Sequence, residues 1–134
     1  MHRAKTSNLR TTIIYWVLTI SYMGVIFYLS SLGESDLPAL PGNFDKVIHM
    51  FLYLILAFLL SLSLNKSGIK RYVFLLAFLI SVFYGASDEF HQSFVPDRNA
   101  SLYDLLADAF GAFLGSYLAS LIRLEIENGT NVLL

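Results

Sequence analysis

The chain has no cysteine among its 134 residues, which excludes disulfides, thiolate nucleophiles and iron–sulfur ligation together. Charge is scarce as well. Asp, Glu, Lys and Arg make up 14% of the residues, against about a quarter in a soluble domain. The net charge of -1 gives no basis for a nucleic-acid partner. Proline occurs three times, at positions 38, 41 and 96, and each marks a connection. Apolar side chains fill the space left: 56% of residues are hydrophobic and 15% aromatic. Tyr and Phe are abundant, as suits side chains that tolerate both lipid and interface.

A spanning helix needs about 20 mostly apolar residues, so a chain of this length holds roughly four with short connections. Four apolar stretches are present: Thr12 to Leu32, Val47 to Leu64, Tyr72 to Ala86 and Leu102 to Ile122. The second extends back to Asp45. The third extends from Lys70, with the basic pair Lys70 and Arg71 snorkelling at its end, to Gln92. Ser101 is a good N-cap for the fourth. The expected architecture is one all-α domain over 1–134, a four-helix transmembrane bundle with spans near 12–32, 45–64, 70–92 and 101–123. The first stretch is longer than the 7 to 15 residues of a signal-peptide core and three spans follow it, so it reads as a retained anchor.

Lys and Arg near span ends stay on the cytoplasmic side. Arg3, Lys5, Arg10, Lys66, Lys70, Arg71 and Arg123 fall at one end, opposed only by Glu125 and Glu127. Glu34, Asp36, Asp45, Asp88, Glu89, Asp97, Asp104 and Asp108 fall at the other, with Lys46 and Arg98. Both termini are therefore expected in the cytoplasm and the acidic end outside, in what reads as a bacterial cytoplasmic membrane. Glu34 and Asp36 read as solvated loop charges.

Ionisable groups at membrane depth are costly, and by default they mark a site. They concentrate in Ser87–Arg98, which closes the third apolar stretch. Helical spacing brings partners to the same level. Asp45, His49 and Tyr53 share one stripe of the second helix. Asp88 shares a face with His91 and Gln92 on the third, while Glu89 is turned about 100° away. Asp104 and Asp108 lie four apart on the fourth. Below them Ala107, Gly111 and Gly115, beside Ala112, Ser116 and Ala119, form a small-residue seam. Such a seam lets helix backbones approach closely, within the chain or across a homodimer.

These residues allow several chemistries. In a headgroup pocket, Arg98 and Lys46 engage a phosphate or carboxylate, since the guanidinium fork bonds such groups in pairs. Asp45, Gln92, Tyr53, Asp104 and Asp108 complete the pocket. In an enzyme, His49 or His91 acts as general base with Asp88 or Glu89 as orienter and Arg98 stabilising negative charge. No serine sits in a recognisable nucleophile turn, so water or a substrate hydroxyl would have to attack. A metal reading places zinc or manganese among Asp45, His49, Asp88, Glu89 and His91, whose ligand types suit those ions. Their spacing matches no recognised metal signature and Lys46 and Arg98 oppose a cation, so no metal or cofactor is expected. In a structural reading the polar groups only satisfy one another. Proton-coupled transport fits worst, because no ionisable residue continues a path through the other halves of the helices.

Two blocks carry a family resemblance: Asp45-Lys46-Val47-Ile48-His49 with Tyr53, and Asp88-Glu89-Phe90-His91-Gln92 with Phe94-Val95-Pro96, Arg98, Ser101-Leu102, Asp104, Gly111 and Gly115. On these the chain resembles the VanZ-like family of small integral membrane proteins. Asp97 departs from the Gly common before the Arg, and Asp108 from a frequent Asn. The resemblance implies a multi-span protein with a shared polar site and a role near the cell envelope. The antibiotic-resistance label belongs to the family's namesake, and neither substrate nor reaction is implied. Residues and resemblance together lead to the expectation that membrane lipids, a lipid-linked envelope precursor or a glycopeptide-type antibiotic occupies the site. Catalysis on such a molecule, or an accessory subunit with a purely structural polar cluster, is the alternative.

Overall fold

Each of the four apolar stretches folds as one helix in a computed structural model, which describes residues 9–39 and 41–132. Arg3 and Lys5 of the basic end lie outside these residues. The helices are α1 (Leu9–Ser30), α2 (Phe44–Lys66), α3 (Val73–Gln92) and α4 (Leu102–Val132), and a single 3-10 turn (Glu34–Asp36) interrupts the connection between α1 and α2. The described residues contain no strand, so the fold is all-α. All four helices are long and apolar enough to cross a membrane.

Boundaries move where local chemistry overrides hydropathy. α3 starts at Val73 rather than near residue 70, because the end of α2 is closed by a glycine cap. Gly68 takes φ +88°, its N–H bonds the Asn65 carbonyl, and the Ile69 N–H reaches back to the Leu64 carbonyl at 3.1 Å. That is the double bond of a Schellman turn, which leaves Lys70 and Arg71 in the connection. α4 continues past residue 123, and the pair Arg123 Nε to Glu127 Oε1 at 2.8 Å, one turn apart, supports the added turns.

α2 is the central helix. Its Tyr53, Leu56, Leu60 and Leu64 form the buried core with Ile26 of α1 and Val73 and Ala77 of α3. α4 lies closest to α2, on the small-residue seam. A Cβ at Gly111 would run into the Met50 carbonyl, and one at Gly115 into the Leu54 carbonyl. The two backbones are therefore in direct contact, and the seam is filled within the chain. Large apolar side chains such as Ile20, Phe83 and Phe110 point outward with more than half their surface exposed. In hydrocarbon this exposure costs little, and packing and polar contacts must hold the helices together instead.

α1 is the peripheral helix, leaning on α2 and touching α3 lightly. It is tied down by polar contacts: Trp16 Nε1 to Ser67 Oγ at 2.8 Å, Tyr22 hydroxyl to the Leu52 carbonyl at 3.1 Å, and Tyr84 hydroxyl to the Met23 carbonyl at 2.7 Å. The Thr19 hydroxyl donates to the Tyr15 carbonyl, so in the 2.8 Å contact between the two hydroxyls Ser63 is the donor. Ser63→Ala leaves Thr19 bonded within its own helix. It is therefore expected to lower stability by only about 0.6 kcal/mol, the average for such bonds in a membrane. Reversible unfolding in micelles measures this, and a loss above about 2 kcal/mol would contradict it.

Candidate functional site

The polar site forms where the second, third and fourth helices meet at the acidic end. α3 finishes with Asp88, Glu89 and Gln92 all buried. The chain then reverses through Pro96 and Asp97, and Asp97 takes φ +61°. A left-handed conformation is unfavourable for a residue with a side chain and least so for Asn and Asp. Asp97→Gly should therefore keep the turn and raise stability by up to about 1 kcal/mol. A lower melting temperature for this variant would show that the Asp97 carboxylate does more than tolerate the turn.

This reversal places Arg98 over the site and returns the chain to α4. Glu89, turned about 100° from Asp88, fixes that return: the Ser101 N–H donates to Glu89 Oε2 at 2.8 Å. Ser101 then receives the first bonds of α4 on its carbonyl, from Asp104 and Leu105, so it occupies the cap position expected for it.

On α2, Lys46 pairs with Asp45 at 3.0 Å and with Asp104 at 3.3 Å, tying the starts of α2 and α4. One turn on, His49 Nδ1 and Asp108 Oδ1 are 2.9 Å apart. The seam permits the contact: with Gly111 against Met50 and Gly115 against Leu54, the two backbones lie close enough for side chains one turn earlier on α4 to reach α2. Asp108 is fully buried. A Cβ at Gly85 of α3 would come within 3.1 Å of Asp108 Oδ2 and 3.2 Å of the Tyr53 ring, so that glycine makes room for both. Tyr53 is fully buried and its hydroxyl has no hydrogen-bond partner.

Between α1, α2 and α3 lies a cavity of about 250 Å³ with Ile26, Leu29 and Leu52 on its apolar side and His49, Asp88 and Arg98 on its polar side. Above it is a wider polar space of about 560 Å³, reached by Asp97, Asn99 and Asp104. Asp45, His49, Gln92 and Arg98 line both, so the two form one cleft with a polar mouth and an apolar floor. Arg98 is half-buried, and its guanidinium makes no ion pair or hydrogen bond among the described residues.

The structure thus gathers Asp45, His49, Tyr53, Asp88, Gln92, Arg98 and Asp104 around one cleft, with Glu89 and Asp108 behind His49 and Lys46 held by two carboxylates. His91 is elsewhere. It points to α1, with Nε2 3.0 Å from Ser31 Oγ and its ring 4.6 Å from that of Phe27. Sharing a helical face with Asp88 did not bring it to the cleft, because that face is wide enough to meet two neighbours. Sequence reasoning missed Ser30 and the Leu37–Pro38 cover, which line the cavity, and Gly85. Only Gly85 left a signal, as a lone glycine inside an apolar helix.

The family model for VanZ/LLP1 matches residues 2–123. The chain belongs to the VanZ/LLP1 family. No curated protein and no solved structure matches it. The match covers all four spans up to Arg123, so the VanZ/LLP1 domain and the helical bundle are one unit. Both departures from the resemblance lie at structurally demanding places of this VanZ/LLP1 protein: Asp97 at the left-handed turn and Asp108 in the buried contact with His49.

Proposed function

We propose that this VanZ/LLP1 protein binds an amphiphilic cell-envelope molecule in the cleft, its headgroup at Arg98 and part of its tail against Ile26, Leu29 and Leu52. The observation that carries this reading is an arginine that makes no side-chain hydrogen bond or ion pair among the described residues, with Asp88 as a charged neighbour, at the rim of a cavity with an apolar floor. A half-buried guanidinium with its N–H groups unbonded is unfavourable, and a phosphate or carboxylate would satisfy them in pairs of charge-assisted bonds. Asp97 shares the mouth with Asp45 and Asp104, whose one side-chain donor among the described residues is Lys46 between them, so the mouth has room for further donors. The headgroup that fits is therefore an anion carrying hydroxyls or an amine beside it, as in phosphoethanolamine or a sugar phosphate. The cleft is read as opening on the outer side of a bacterial cytoplasmic membrane, with both termini in the cytoplasm, in keeping with the segregation of Lys and Arg to the opposite end.

Native mass spectrometry of wild type and Arg98→Ala in mild detergent tests the reading. One defined lipid class on the wild type, lost from the variant, is the expected result. Equal retention by both proteins would remove Arg98 from the site.

Acid–base chemistry on the same molecule is the second reading, and the 2.9 Å contact of His49 with Asp108 favours it. An imidazole lining the cavity with a buried carboxylate behind it has the form of a general base and its orienter. His91, turned to α1, has no part in it. Turnover of the co-purified lipid that stops in His49→Gln would establish this reading, and an unchanged lipid would leave binding alone.

A further inference from the structure

We propose that His49, Glu89 and Asp108 hold one divalent transition-metal ion where α2, α3 and α4 meet. Each residue comes from a different helix, and one ligand atom of each lies within 4.8 Å of the others. Ligands around a tetrahedral zinc stand about 3.3 Å apart, given bond lengths near 2.0–2.1 Å, so a modest inward shift closes the trio on an ion.

The carboxylates are arranged as ligands rather than as partners of each other. Glu89 gives Oε2 to the Ser101 N–H, and Asp108 gives Oδ1 to His49. Their other oxygens, Glu89 Oε1 and Asp108 Oδ2, have no hydrogen-bond partner although the residues are only 6% and 0% exposed. Bare carboxylate oxygens at this depth are strongly unfavourable unless something binds them. The basic residues of this end do not do so. Lys46 is engaged by Asp45 and Asp104, and Arg98 stands at the cleft. A divalent cation held by one oxygen of each would neutralise the two acids and supply the partner that these buried carboxylates lack. One imidazole and two carboxylates suit zinc or manganese. The bond from Ser101 to Glu89 would hold that ligand as outer partners do in metal sites. His49 also lines the cavity, so an ion bound to it stands at the cavity wall.

The set differs from the one that ligand types in the sequence put forward: Asp45, Asp88 and His91 are not in it, and Asp108 is. The ion does not depend on the headgroup reading, because a metal can be bound with the cleft empty of lipid.

The test uses the full chain in detergent, stripped with EDTA and titrated with zinc or manganese by calorimetry, with bound metal counted by elemental analysis. One equivalent per chain is expected. Glu89→Gln and Asp108→Asn, each near-isosteric, should weaken binding about a hundredfold or more, and Asp36→Asn should not change it. Cobalt added to the stripped wild type should give the visible absorption of a nitrogen- and oxygen-ligated ion, a readout that needs no variant. Failure of the stripped wild type to take up one equivalent, or binding unchanged in Glu89→Gln, would overturn the proposal whatever the lipid result.

Discussion

His49→Leu is expected to lower stability by roughly 3 kcal/mol, more than any other single side-chain change at the site, through what it does to Asp108. The imidazole is the hydrogen-bond partner of that fully buried carboxylate. Its loss leaves both oxygens of Asp108 bare in the interior, and an uncompensated buried charge is far more harmful than a lost pair. The double variant His49→Leu/Asp108→Leu removes both polar groups and fills their volume, so it should recover to within about 1 kcal/mol of wild type. Equilibrium unfolding of the EDTA-stripped proteins in micelles distinguishes the cases. A single variant as stable as wild type would mean that His49 does not satisfy Asp108. A double variant no better than the single would mean that packing, not the stranded carboxylate, is responsible.

Gly111→Ala is expected to lower stability by about 1–3 kcal/mol, and Gly111→Leu to prevent α4 from docking on α2. The reason is backbone contact. The atom that a side chain at 111 would strike is the Met50 carbonyl, part of a helix that cannot turn away as a flexible side chain could. The shift would propagate one turn along α4 to Asp108 and open the contact with His49. Gly24 of α1 is the control, since a Cβ there meets nothing within 4 Å. Gly24→Ala should be neutral or stabilising by up to about 1 kcal/mol, the helix-propensity difference. If Gly111→Ala and Gly24→Ala behave alike, the seam does not hold the bundle together.

How far the sequence discloses the fold follows from which signals are one-dimensional. Helix number and approximate spans were legible, because hydrocarbon thickness sets a length that hydropathy reports directly. The Schellman turn at Gly68 was not, so α3 was expected three residues early; a glycine with φ > 0 is a property of the turn, not of hydropathy. The stripe Asp45, His49, Tyr53 was legible from its period of four. The pairing of His49 with Asp108 was not, because it depends on the register of α4 against α2, which Gly111 and Gly115 set through contact with particular carbonyls. Periodicity places residues on a face, and neighbouring helices then decide which members of that face meet. Asp88 and Gln92 went to the cleft while His91, on the same side, went to α1.

Occupancy of the cleft is tested most directly by phosphatidylethanolamine carrying a photoreactive group in its acyl chain. The lipid is crosslinked to the protein in bilayers and the adducts are mapped by peptide mass spectrometry. Adducts on Leu29 and Leu52, at the floor of the cavity, are expected for wild type and should be lost in Arg98→Ala, with phosphatidylcholine, which lacks an amine donor, labelling them less. Labelling confined in both proteins to outward residues such as Phe83 and Phe110 would contradict a binding cleft and leave the polar cluster with a role in packing alone.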